Sequence, residues 1–135
     1  MTVLDAGNKI VGRLATEVAR RVKEGEQIDI VNSEKAVISG EREEVVADYR
    51  QKYERGSKYT GPHYPKRPDR ILKRIVKGML PDDQELKSNV KTYLGNPEGE
   101  AENPGTKEGS DLRTKNYVKL GEVSKSLGWS PEIEV

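Results

Sequence analysis

Apolar positions along the chain alternate between the rhythms of strand and helix. Residues 2–6 (TVLDA) open with an apolar run of strand length. From Val11 the spacing changes: Val11, Leu14, Ala15, Val18, Ala19 and Val22 recur at i, i+3, i+4, i+7, i+8 and i+11. That is an apolar stripe on one face of a helix of about three to four turns. Glu17 stands four residues before Arg21 on the other side, and Gly25 suits the helix end. Residues 27–33 (QIDIVNS) read as a second strand, and 36–39 (AVIS) as a further extended piece before Gly40. Helix resumes over 41–56 (EREEVVADYRQKYERG), with acids in its first turn and bases near its last, as the helix dipole prefers.

Residues 57–68 (SKYTGPHYPKRP) hold three prolines and a glycine. Proline lacks a donor and restricts the residue before it, so an extended surface segment is expected there. A helix follows over about 69–79, then a short acidic-start helix within 81–90 (PDDQELKSNV) and a strand at 90–95 (VKTYLG). Residues 95–111 are Gly, Pro and acid, which predicts a loop with no core of its own. Residues 117–129 (YVKLGEVSKSLGW) suggest a closing helix with Val118, Val123 and Leu127 available for packing. Strands separated by helices favour an α/β layered fold with a mainly parallel sheet.

Composition narrows the class. A chain of 135 residues suits one domain with a modest core. It has no Phe, so the core must come from Val, Ile, Leu and Ala. No apolar run approaches the ~18 residues of a membrane span, and the N-terminus lacks the basic-then-apolar pattern of a secretion signal. Without cysteine there is no disulfide framework, thiolate nucleophile or thiolate zinc site. A soluble cytoplasmic protein is expected.

The net charge of +1 conceals a sharp asymmetry. Residues 58–77 carry seven Lys/Arg against Asp69 alone, a local +6, while residues 1–57 sum to −1 and residues 78–135 to −4. Such a basic block points to a polyanionic partner. It is also ordered on the helix at 69–79. With Ile71 as zero, Ile71, Leu72, Ile75, Val76 and Met79 fall between roughly 0° and 140°. Arg70, Lys73, Arg74 and Lys77 fall between roughly 200° and 300°. Like charges at these spacings repel, so solvated faces usually mix signs. A purely cationic face therefore has a phosphate backbone as its natural partner. The preceding loop presents Lys66 and Arg67 beside Tyr59, His63 and Tyr64, a set able to track a sugar–phosphate chain and stack on an unpaired base. His63 is the only histidine, and no metal site or catalytic triad can be assembled around it.

One stretch suggests different chemistry. Gly7 and Gly12 bracket four residues between a strand and a helix, nearly a strand–GxxxxGK[ST]–helix phosphate loop. A small nucleotide-binding enzyme is the rival reading. Arg13 offers a charge in place of the loop lysine, but Leu14 cannot hold magnesium and belongs to the apolar stripe. What survives is a helix start with Lys9 and Arg13 alongside, suited to a phosphate in a polynucleotide.

Four segments in order, DAGNKIVGRLATEVA, VNSEKAVISG, GPHYPKRPDRILKRIVKGMLP and KTYLGNP, resemble the large-subunit ribosomal protein family numbered thirteen in the universal scheme, in its archaeal form. RxxxGMLP after a Pro-rich basic loop is its most distinctive motif. VKLGEVSKSLGW resembles the C-terminal extension of archaeal and eukaryotic members. The resemblance covers most of residues 3–97 and part of 117–129. It implies a three-layer α/β/α domain around a four-stranded, mainly parallel sheet over 1–97, with loop and helical extension over 98–135 packed on it. It further implies no catalysis, no cofactor, and binding to large-subunit ribosomal RNA as an early-assembling structural component beside other large-subunit proteins. Neither a membrane nor a small-molecule substrate is implied. Carried over by position, the RNA contacts are Lys9, Arg13, His63, Lys66, Arg67, Arg70, Lys73, Arg74 and Lys77. Where many relatives continue with a basic run after GMLP, this chain has DDQELKS at 82–88, which puts an RNA contact there in doubt.

Overall fold

The computed structural model describes residues 2–55, 66–97, 99–112 and 116–129. The first strand, β1 (Thr2–Asp5), leads into helix α1 (Val11–Lys23), and the whole predicted stripe from Val11 to Val22 is buried. Gly25 ends this helix with a φ of +104°. Its amide donates to the Val22 carbonyl at 3.0 Å, and that of Glu26 to Arg21 at 3.1 Å, the paired bonds of a left-handed helix terminus. Strand β2 (Ile28–Val31) is buried along its whole length, as a central parallel strand must be. It is shorter than its sequence suggests because Asn32 turns the chain at φ +58° into a 3-10 turn, Ser33–Lys35.

Strand β3 (Val37–Ser39) and helix α2 (Arg42–Arg55) follow. After the Pro-rich segment come α3 (Pro68–Gly78), the short α4 (Gln84–Lys87) capped by the Asp83 carboxylate on the Glu85 amide at 2.9 Å, and β4 (Val90–Thr92). Strands β1, β2 and β4 form a parallel sheet in the order β1-β2-β4. Val3 lies opposite Asp29, and Asp29 opposite Lys91.

Two sequence expectations change here. The described residues place three strands in the parallel sheet, not four: β3 pairs instead with β5 (Tyr117–Lys119) in an antiparallel ribbon. A single bridge from Leu4 to Glu102 extends the sheet beyond β1. The closing helix is correspondingly shorter, α5 (Leu120–Ser126), because residues 117–119 are drawn into strand by the edge of β3. The spacing of Leu120, Val123 and Leu127 is the part with helical rhythm.

One apolar cluster joins these elements. Leu4, Leu14, Val18, Ile28, Ile30, Ile71, Leu72, Val90, Leu120 and Val123 all belong to it. Helix α3 packs against both α1 and β4. The loop at 99–112 runs along the sheet edge: the Asp5 amide donates to Glu102 and the Ile10 amide to Lys107.

Candidate nucleic-acid interface

Helix α3 begins where Pro68 at its first position tolerates the missing donor, with Arg67 extended before it. Ile71, Leu72 and Val76 are fully buried, which fixes the rotation of the helix. Its opposite side therefore faces outward. Arg70 and Arg74 are exposed, and Lys73 and Lys77 are half-buried. Among the described residues, Arg70, Lys73 and Lys77 make no ion pair.

Helix α1 provides the contrast. Its outer face also carries Arg20 and Arg21, and both are paired with acids of the same helix end, while among the described residues Arg13 at its start is not. Arg20 reaches Glu17 at 2.8 Å and Glu24 at 2.9 Å, and Arg21 reaches Glu17 at 2.8 Å. Hydrogen bonds from Arg20 and Arg21 pull the Glu17 carboxyl down to about 2. Two amphipathic helices pack side by side, yet only α1 interleaves acids with the bases of its outer face.

Lys73 registers the imbalance. Partial burial, then the charge of Lys77, lower its pKa below the ordinary lysine value. Asp69 acts in the opposite direction, and Lys91 adds to the lowering. Lys91 is a member of the cationic group that sequence reasoning missed. It sits on β4 beside the buried Val90, and strand alternation alone would have turned it outward.

The remaining sequence candidates divide. Arg67 is half-buried and donates to the Asp69 carboxylate at 3.2 Å. The Asp69 carbonyl accepts from the Thr92 hydroxyl at 2.8 Å, so this pair also anchors α3 to β4. Lys66 is exposed, with its ammonium close to Gly128 beyond α5. Arg13 is exposed at the start of α1 and lines a groove that Ile75 of α3 also lines. Lys9 is buried, its amine 3.6 Å from the Glu108 carboxylate, and is remote in character from the exposed strip. His63, Tyr59 and Tyr64 lie outside the described residues.

The turn between β1 and α1 is occupied by the protein itself. The Gly7 amide donates to Asp5 Oδ1 at 2.8 Å, Asn8 to the Lys35 carbonyl at 2.8 Å, Lys9 to Ala6 at 3.0 Å and Ile10 to Lys107 at 3.0 Å. A phosphate cradle needs such amides pointing together at the ligand. Leu14, where the NTPase loop needs a hydroxyl for magnesium, is fully buried. Among the described residues no three His, Asp or Glu side chains cluster to hold a metal, and no helix is long and apolar enough to cross a membrane.

Fold and strip together define a small α/β protein built on a parallel sheet, with one helix whose outer face carries a single charge sign. Residues 1–98 match the family described as ribosomal protein L13. The chain is 47% identical to the large ribosomal subunit protein uL13 of Methanosarcina barkeri, over 95% of this chain and 98% of that protein. It is 47% identical to the uL13 of Natronomonas pharaonis, over 93% and 90%, and 41% identical to that of Methanocaldococcus jannaschii, over 95% and 98%. The chain belongs to the ribosomal protein L13 family.

Proposed function

We propose that this protein is a non-enzymatic structural component of the large ribosomal subunit that binds large-subunit rRNA through the outer face of α3, early in subunit assembly. The observation that carries the reading is the unmixed positive charge of that face, beside an α1 whose Arg20 and Arg21 are paired with Glu17. Folding places Lys73 next to Lys77 and Lys91 at a cost in self-repulsion, and RNA phosphates offset it by accepting the charge and releasing counterions. Relatives at 40–48% identity, each described as a large ribosomal subunit protein, support the assignment to the ribosome and with it a cytoplasmic location.

Arg13, Arg70, Lys73, Arg74 and Lys77 form the centre of the interface, with Lys91 added and the segment of His63, Lys66 and Arg67 leading into it. Lys9 serves the site indirectly, by tying the loop at 107–109 to the start of α1. The acidic segment 82–88 faces solvent or basic protein neighbours. Residues 98–135 act as an extension of the domain at 1–97, and Val118, Leu120, Val123 and Leu127 in the common core support this.

If about five cations meet phosphate, rRNA affinity falls with salt at a log–log slope of roughly −3.5 to −4.5. Arg70→Glu with Lys73→Glu is expected to weaken filter-measured binding to an archaeal large-subunit rRNA transcript by about tenfold or more. The slope becomes shallower by about two, because two phosphate contacts are lost. Binding and slope equal to those of the unaltered chain would refute the assignment of the strip.

A further inference from the structure

Beside Arg13, at the start of α1, lies a feature that phosphate binding alone does not use. The start of α1, strand β3, Tyr49 of α2 and Ile75 of α3 enclose an open groove of about 580 Å3. That lies within the ~300–1,000 Å3 typical of small-ligand sites. Its floor is apolar: Ile10 and Val11 are buried, and Ile38 and Ile75 are half-buried side chains resting on the core. Gly12 keeps it open, since a Cβ there would meet no atom within 4 Å. Arg13 stands exposed at the rim and makes no ion pair among the described residues. The exposed Ser39 adds a hydroxyl.

Two other surface depressions carry acids. One is lined by Glu100 and Glu102 at the sheet edge, the other by Glu24 together with Arg20 and Lys23, between α1 and Met79. Among the described residues no carboxylate lines the groove at Gly12. It also lies on the α3 side of the molecule, where Ile75 follows Arg74 directly in the chain. A polymer laid on the strip brings to this place units that each join a flat, largely apolar body to a negative charge.

We propose that the groove seats one unstacked base of the bound RNA, packed between Ile38 and Ile75, with its phosphate on Arg13. This rests on the rRNA-binding reading and specifies it, because the strip alone reads only phosphates whereas the groove selects a place where the RNA is single-stranded. Unstacked bases held against side chains are the usual currency of single-strand recognition.

Gly12→Leu tests the idea without unfolding the chain. The helix position accepts leucine with better propensity than glycine, and the added side chain enters open space and fills the groove. Three chains are compared by filter binding to the same large-subunit rRNA transcript: unaltered, Gly12→Leu, and Arg70→Glu with Lys73→Glu. Gly12→Leu is expected to bind roughly tenfold more weakly, the scale of one lost stacked base, with a salt slope changed by at most about one because only the Arg13 phosphate contact goes with the base. In a parallel NMR titration, a mixed-sequence single-stranded RNA pentanucleotide should shift the Ile38 and Ile75 methyl signals in the unaltered chain only. Normal binding by Gly12→Leu, while the charge-reversed chain fails, overturns the base seat and leaves the rRNA reading standing. Normal binding by the charge-reversed chain sinks that reading instead. A slope shallower by about two or more for Gly12→Leu, or methyl shifts produced by an acidic leucine-rich peptide and not by the pentanucleotide, also overturns the base seat.

Discussion

Lys73 holds a charge that the folded chain disfavours. Burial and the neighbouring Lys77 and Lys91 lower its pKa, so the folded state releases this proton more readily than the unfolded chain does. The sign follows from linkage: stability rises with pH wherever the unfolded state binds more protons. That window runs from the lowered folded value up to the ordinary lysine value of 10.5. Below it the penalty is constant, and above it the penalty is gone. Lys73→Met should therefore raise the melting temperature near pH 7, with the gain shrinking as the pH approaches the upper end of the window. Thermal melts followed by circular dichroism at pH 7 and in the alkaline range check this; an equal gain at both would mean that packing, not charge, sets the effect. The same side chain is legible in the sequence as an outward cation, because three buried neighbours on α3 define the wheel. Lys9 is not. Only its pairing with Glu108, ninety-nine positions away, shows that it faces inward.

Elements show how one residue type carries opposite meanings in two helices. Gly12 and Gly121 both lie in first turns, of α1 and α5, and neither needs a positive φ. At Gly12 a Cβ meets open space, so Gly12→Ala should stabilise by ~0.5–1 kcal/mol through helix propensity. At Gly121 a Cβ would stand 3.1 Å from the Glu34 carbonyl oxygen, a backbone atom of the turn on which α5 rests. There Gly121→Ala should destabilise by about 1–2 kcal/mol, since the clash outweighs the same propensity gain. Urea denaturation of the two variants measures both signs. Strand β5 carries a related lesson. Residues 117–119 contain nothing incompatible with helix, yet the unpaired edge of β3 supplies hydrogen-bond partners that a helix at the chain end could not match. Local pattern proposes an element; a distant strand edge decides it.

For the whole molecule, the C-terminal elements are integral to the core and not an ornament on it. Val118, Leu120, Val123 and Leu127 are buried in the common cluster. Arg42 reaches Glu122 at 3.4 Å, and Arg50 donates to the Ser126 carbonyl at 3.0 Å, bracing α2 against α5. Exposing four such side chains forfeits roughly 6–12 kcal/mol at ~1.5–3 kcal/mol each, against a total stability of ~5–15 kcal/mol for an ordinary domain. A chain ending at residue 112 should thus show no cooperative thermal transition. A sharp melt near that of the full chain would establish residues 1–112 as a self-sufficient unit.

Periodicity within each segment determined by itself that α1 and α3 are amphipathic helices, and that α3 turns an unmixed cationic face away from its apolar one. Those properties depend on neighbours three or four positions apart, which any reader of the chain can count. Tertiary structure alone decided that β3 takes β5 for its partner, that Lys9 is buried, that Lys91 joins Lys73, and that a groove opens above Gly12. Each of these requires residues far apart in the chain to meet, and the free energy that brings them together belongs to the packed core rather than to any stretch that forms it.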